Sequence, residues 1–275
     1  MHAASPPAPT PKRFEPIVNA PTVVLALVGA LLACHGAYEF APEGWQDAAL
    51  RDLAFLPARL TLHFWPQRLG VILAQVNVDP AALVQASILR HFKVLDEGAK
   101  YCTLLSYAFV HASWAHVGLN SIWIIAFGPP VARRIGAARF LALFAATAVA
   151  GALAHWLASP MDALPLVGAS AADSGIMAGA ARFVFQPGAA LADRDGASRF
   201  GANSRDDVAA PPLFELLRNR RALGFVVIWM ATNFVFGAGA QSLGVSDAPV
   251  AWIAHIGGFL AGLTLFPAFD RRAPR

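Results

Sequence analysis

Apolar residues in this chain come in long unbroken runs. They show neither the strict alternation of half-exposed strands nor the one-sided stripe of soluble helices. Runs at about 20–38, 116–132, 139–158, 166–186, 222–240 and 250–269 each approach the roughly 20 residues an α-helix needs to cross the hydrocarbon core of a bilayer. The pattern predicts an all-α, polytopic bundle of six transmembrane helices with both termini on one side. Between the first two runs lies a long loop, 39–115, whose amphipathic stretches, such as 45–64 with Trp45, Leu53, Phe64 and the adjoining Trp65, predict short helices lying in the membrane interface. Residues 1–19, rich in Pro, Ala and Ser, read as a disordered tail, and 187–221, rich in Gly, Asp, Arg and Ser, as a flexible insert. The membrane domain accordingly runs from 20 to 275.

Composition strengthens this picture. Charged residues make up 14% of the chain, hydrophobic ones 57%, and mean hydropathy is +0.52, whereas a soluble domain carries roughly 25% charged residues. The net charge of +4 raises nucleic acid as a partner, but the basic residues form no single stripe. They recur between apolar runs: Lys12 and Arg13 before the first, Arg133, Arg134 and Arg139 between the second and third, and Arg194, Arg199, Arg205, Arg218, Arg220 and Arg221 between the fourth and fifth. Arg271, Arg272 and Arg275 follow the last, and the connections around Asp162 and Asp247 carry none. This is the signature of membrane topology, and by the positive-inside rule it puts the termini in the cytoplasm and the 39–115 loop outside. The expected setting is a bacterial inner membrane, with the lipid bilayer and no nucleic acid as surroundings.

Two cysteines, Cys34 and Cys102, make no disulfide framework and lack zinc-type spacing. Leu31-Leu32-Ala33-Cys34 resembles a lipoprotein signal, with Cys34 as the lipidated residue. Cleavage there removes the first span, leaves an odd number of crossings and disturbs the charge pattern, so Cys34 reads as a core cysteine.

Polar groups inside a span are costly and therefore functional candidates. His116 and Asn120 lie four residues apart, on one helical face at the outer end of the second span. Ser170 and Ser174 share a face of the fourth, and His255 is the only histidine of the sixth. The derived topology puts His116, Asn120, Ser170 and His255 at one depth. Pro165 and Gly168 break regular structure just before Ser170, so a helix starting there leaves N–H groups without intrahelical partners, a setting that favours developing negative charge. Gly258 and Gly262 follow His255 on its face, and Ser174 and Ala178 continue the Ser170 face; small residues on both helices permit close backbone approach. Taken singly, each feature has a plainer reading as helix packing. His111 and His116 do not form a His-Glu-x-x-His metal motif, and no carboxylate accompanies them.

Taken together, these residues resemble the rhomboid family. Thr103 through His116 followed by Val117-Gly118-Leu119-Asn120 is similar to its loop-and-helix signature ending in His-x-x-x-Asn. Gly168-Ala169-Ser170 resembles the start of its Gly-x-Ser-Gly motif, and Ala254-His255-Ile256-Gly257-Gly258 through Gly262 its Ala-His-x-x-Gly-x-x-x-Gly motif. The resemblance implies an intramembrane serine endopeptidase with a six-helix bundle, Ser170 as nucleophile and His255 as general base. It implies an oxyanion hole of the Ser170 N–H with His116 and Asn120, transmembrane protein substrates, and no metal or organic cofactor. A catalytically inactive rhomboid-fold protein that binds membrane clients is the alternative; a transporter fits less well, because the polar groups cluster toward one face.

Three departures stand out. Ala171 replaces the glycine after the nucleophile, and Cys102-Thr103 stands where many rhomboids have Trp-Arg. Asp173 occupies a position the family usually gives to an apolar residue. It is a candidate modulator that hydrogen-bonds a group beside the dyad, such as His255, or else a residue satisfied by an unrelated polar partner or water.

Overall fold

The computed structural model describes residues 20–71, 98–186, 210–238 and 251–270. The tail at 1–19, the middle of the 39–115 loop, most of the 187–221 insert and the terminal arginines lie outside the described residues. Ten α-helices are found among those described: α1 (Thr22–Glu39), α2 (Glu43–Leu53), α3 (Pro57–Phe64), α4 (Thr103–Ser106), α5 (Trp114–Ile135), α6 (Ala137–Ala158), α7 (Ser170–Val184), α8 (Leu213–Arg218), α9 (Arg220–Ala238) and α10 (Trp252–Phe269). No strand ladder occurs among them, only an isolated antiparallel bridge between Phe55 and Leu166. The protein is all-α.

The apolar runs of the sequence map onto α1, α5, α6, α7, α9 and α10. Of these, α1, α6 and α10 are long and apolar enough to cross a membrane by length and composition. By contrast, α5 interrupts its apolar stretch with His116, Asn120, Pro129 and Pro130, and α7 has only 15 residues, about 22 Å of helix.

Helix boundaries follow from local chemistry. The Ser113 hydroxyl caps α5 by accepting from the His116 N–H at 3.2 Å. Gly136, at φ +82°, ends α5 and turns directly into α6. The apolar run at 166–186 begins four residues before its helix does. Leu166 is held in the bridge to Phe55, and Gly168 at φ +102° lies in a region that L side chains rarely adopt. The helix therefore opens at Ser170.

At the centre stands α7, buried on nearly every side from Ala171 to Val184, its Asp173, Ser174 and Arg182 included. Glycine lets its neighbours reach it. A Cβ on Gly258 or Gly262 of α10 would collide with the Ala171 or Gly175 carbonyl, and one on Gly151 of α6 would lie 2.5 Å from the Ala171 methyl. Ala171 is thus accommodated by Gly151. Such contact between backbones replaces the hydrophobic drive that lipid does not supply.

The ends of the bundle are tied differently. At the end opposite Ser170, the Arg134 guanidinium donates to Asp270 at 2.7 and 3.0 Å with both side chains buried. At the Ser170 end, the Ala58 N–H donates to the Asp162 carbonyl (2.9 Å) and Trp156 Nε1 donates to Thr61 Oγ1 (2.8 Å). The amphipathic stretch forms the two expected short helices, α2 and α3, and Trp45, Leu53, Phe64 and Trp65 are exposed. The insert is not loop throughout its described part: Leu213–Arg218 is helical, because Leu216 buries itself against Met177 and Ala222.

Candidate active site

Ser170 is the first residue of α7, and His255 lies in the first turn of α10. With the two backbones brought together by Gly258, His255 Nε2 sits 2.7 Å from Ser170 Oγ, within hydrogen-bond reach for proton transfer. Both residues are partly buried. The other ring nitrogen, Nδ1, lies 2.7 Å from Asn233 Oδ1 on α9. Ser174 takes no part in this chain; its hydroxyl donates to the Ser170 carbonyl at 2.7 Å within its own helix.

The segment leading to Ser170 is fixed by its own contacts. The Gly168 N–H donates to the Tyr107 carbonyl at 3.0 Å, and the Tyr107 hydroxyl donates to the Ala148 carbonyl at 2.8 Å. A Cβ on Gly168 would stand 2.5 Å from His116 Nε2. His116 therefore borders the backbone just ahead of Ser170.

Asn120 is buried at the same level. Its amide satisfies its neighbours in one orientation, with Nδ2 donating to Asp173 Oδ2 (3.1 Å) and Oδ1 accepting from the Ala169 N–H (3.2 Å) and His111 Nε2–H (3.0 Å). His111 lies ahead of α5, and burial, aided by the His116 and His35 rings, pushes its pKa down to about 3. It is therefore neutral. Asp173 thus meets Asn120 and not His255, and its Oδ1 has no hydrogen-bond partner among the described residues.

A family model described as the Rhomboid domain matches residues 98–192, which include His116, Asn120 and Ser170. Over that stretch the chain is similar to the rhomboid family. The Bacillus subtilis (strain 168) protein named "Putative rhomboid protease YdcA" is 34% identical over 73 residues, 26% of this chain. The aligned part spans 36% of that relative's length. His255 and Asn233 lie beyond the rhomboid match, so their part in the site rests on geometry and, for His255, on the motif around it.

Sequence reasoning named Ser170, His255, His116 and Asn120, and the fold brings all four to one end of the bundle. It missed Asn233. The signal was an amide inside an apolar span, the same criterion that selected the others, but Asn233 belongs to no recognised motif.

Proposed function

We propose that this chain is an intramembrane serine protease that hydrolyses peptide bonds in or near transmembrane segments of other membrane proteins. The observation that carries the reading is the 2.7 Å approach of His255 Nε2 to Ser170 Oγ across two helices. In this reading Ser170 Oγ attacks the scissile carbonyl carbon while its proton passes to Nε2. The resulting oxyanion is stabilised by the Ser170 N–H at the start of α7 and by His116, with Asn120 beside them. His255 then returns the proton to the leaving amine, which departs and leaves an acyl-enzyme. A water molecule, deprotonated by the same imidazole, attacks the ester, releases the new carboxyl terminus and regenerates Ser170.

The same reading has six helices crossing a bacterial inner membrane with cytoplasmic termini. The Ser170 end then faces outward. The shortness of α7 supports an active site sunk below the outer surface, since about 22 Å of helix is less than the roughly 30 Å core.

Purified protein should label with a fluorophosphonate and cleave a transmembrane substrate reconstituted beside it. Ser170→Ala and His255→Ala are each expected to abolish both activities, and the double variant to be no worse than either single one. Unlabelled wild-type protein that binds but does not cut membrane clients would support the inactive alternative instead.

A further inference from the structure

Asn233 on α9 makes two hydrogen bonds whose directions can be assigned without seeing a proton. Its Nδ2 donates to the Trp229 carbonyl at 2.9 Å. A carbonyl oxygen only accepts, so the amide nitrogen must face it, and Oδ1 must face His255 Nδ1, 2.7 Å away. Since Oδ1 also only accepts, Nδ1 carries hydrogen. A neutral imidazole has one N–H, so Nε2 presents a bare lone pair to the Ser170 hydroxyl at 2.7 Å. The roles run in one sequence: Ser170 donates to His255, His255 to Asn233, and Asn233 to a backbone carbonyl of its own helix.

We infer that Asn233 is a positioning residue for the proposed protease chemistry, holding His255 in the tautomer whose Nε2 can act as base. The inference rests on the Ser170–His255 reading. The partner is an amide rather than a carboxylate, which suits a helix bundle in lipid, because an unpaired buried carboxylate is costly there. An amide still accepts from Nδ1–H after Nε2 gains the serine proton, so its hydrogen bond survives the reaction cycle. It supplies no charge to stabilise the imidazolium, unlike the aspartate of a three-membered triad.

The register that delivers Asn233 is fixed one turn away. Trp229, four residues before Asn233, stacks on Phe259, four residues after His255, with ring centroids 4.0 Å apart and planes at 16°. Antiparallel helices with that stack in place bring the next turn of each, Asn233 and His255, together. The other titratable side chains acting on His255 are His116 from α5 and His155 from α6.

The test uses the full chain in nanodiscs, with ¹⁵N-labelled histidine and a reconstituted transmembrane substrate. In the wild type, His255 should show a protonated Nδ1 and an unprotonated Nε2. Asn233→Ala should lose that preference and lower kcat by on the order of 10²-fold with little change in KM. Asn233→Asp retains the acceptor and should keep the tautomer. Its carboxylate stabilises the imidazolium, so the acid limb of the pH–rate profile should move to higher pH. A wild-type tautomer and rate in Asn233→Ala would overturn the inference, as would an Asn233→Asp profile that superimposes on that of the wild type. Should the wild type prove inactive, the proposed function fails while the nitrogen spectra still decide whether Asn233 sets the tautomer.

Discussion

His255 is approached across two interfaces of different construction. Toward α7 the contact is backbone against backbone: Gly258 lies against the Ala171 carbonyl with no space for a methyl group. Toward α9 the contact is made by side chains, the Trp229–Phe259 stack and the Asn233 bond, while Leu223, Val227, Ile228, Phe234 and Val235 of the same helix face outward. The first interface has no adjustable parts, and its position is set by the absence of atoms. The second can shift by rotamers. In the proposed chemistry, the base that must meet its nucleophile to within a fraction of an ångström is held by the rigid interface, and the group that only orients it arrives across the softer one.

The largest effect should come from breaking the rigid interface. Gly258→Leu forces α10 away from α7, and since even a 1 Å misplacement costs about 10²-fold, cleavage is expected to fall to background. Retention of more than a tenth of wild-type turnover would show that the two helices can part without consequence. His116→Ala leaves both interfaces of His255 intact and removes only the proposed oxyanion donor; kcat should drop about 10²-fold while substrate affinity, read by competition, changes little. Trp229→Ala weakens the soft interface by removing the stack. Aromatic pairs contribute about 0.5–1.5 kcal/mol beyond their area, so a loss of about two- to tenfold is expected, with His255 tautomer populations shifting in the direction seen for Asn233→Ala. Asp173→Val should move activity least. Its carboxylate bonds Asn120 and does not reach His255, so pH–rate profiles should superimpose and stability should change by about 1 kcal/mol. A displaced profile would mean that Asp173 communicates with the base after all.

The same contrast explains what could be read from the sequence. Helix positions were legible because apolar runs and their breakers are local properties: 139–158 and Ala137–Ala158, or 250–269 and Trp252–Phe269, differ by two residues at the start and none at the end. The apolar run at 166–186 begins four residues ahead of α7 because Leu166 is held in a bridge to Phe55 that no local pattern announces, whereas the breakers Pro165 and Gly168 marked the helix start at Ser170. The glycine interface was legible from the spacing of Gly258 and Gly262. Its counterpart was not, since nothing in the sequence of α9 distinguishes an asparagine that faces His255 from one turned toward any other neighbour. Asp173 posed the same difficulty, because its partner depends on which way the Asn120 amide points.

The bond between Ser170 and His255 joins positions 85 residues apart, which has a consequence for the order in which the protein comes into being. Synthesis proceeds from α7 toward α10, and at 5–20 residues per second the histidine emerges about 4–17 s after the serine. Throughout that interval the nascent chain carries the proposed nucleophile without its base, on a helix whose glycine-lined docking partner does not yet exist. Asn233 is made in between and waits for the imidazole it will orient. A polypeptide cut short before Trp252 therefore lacks the proposed general base. In the proposed function, the capacity to cut neighbouring chains begins only when α10 docks against α7.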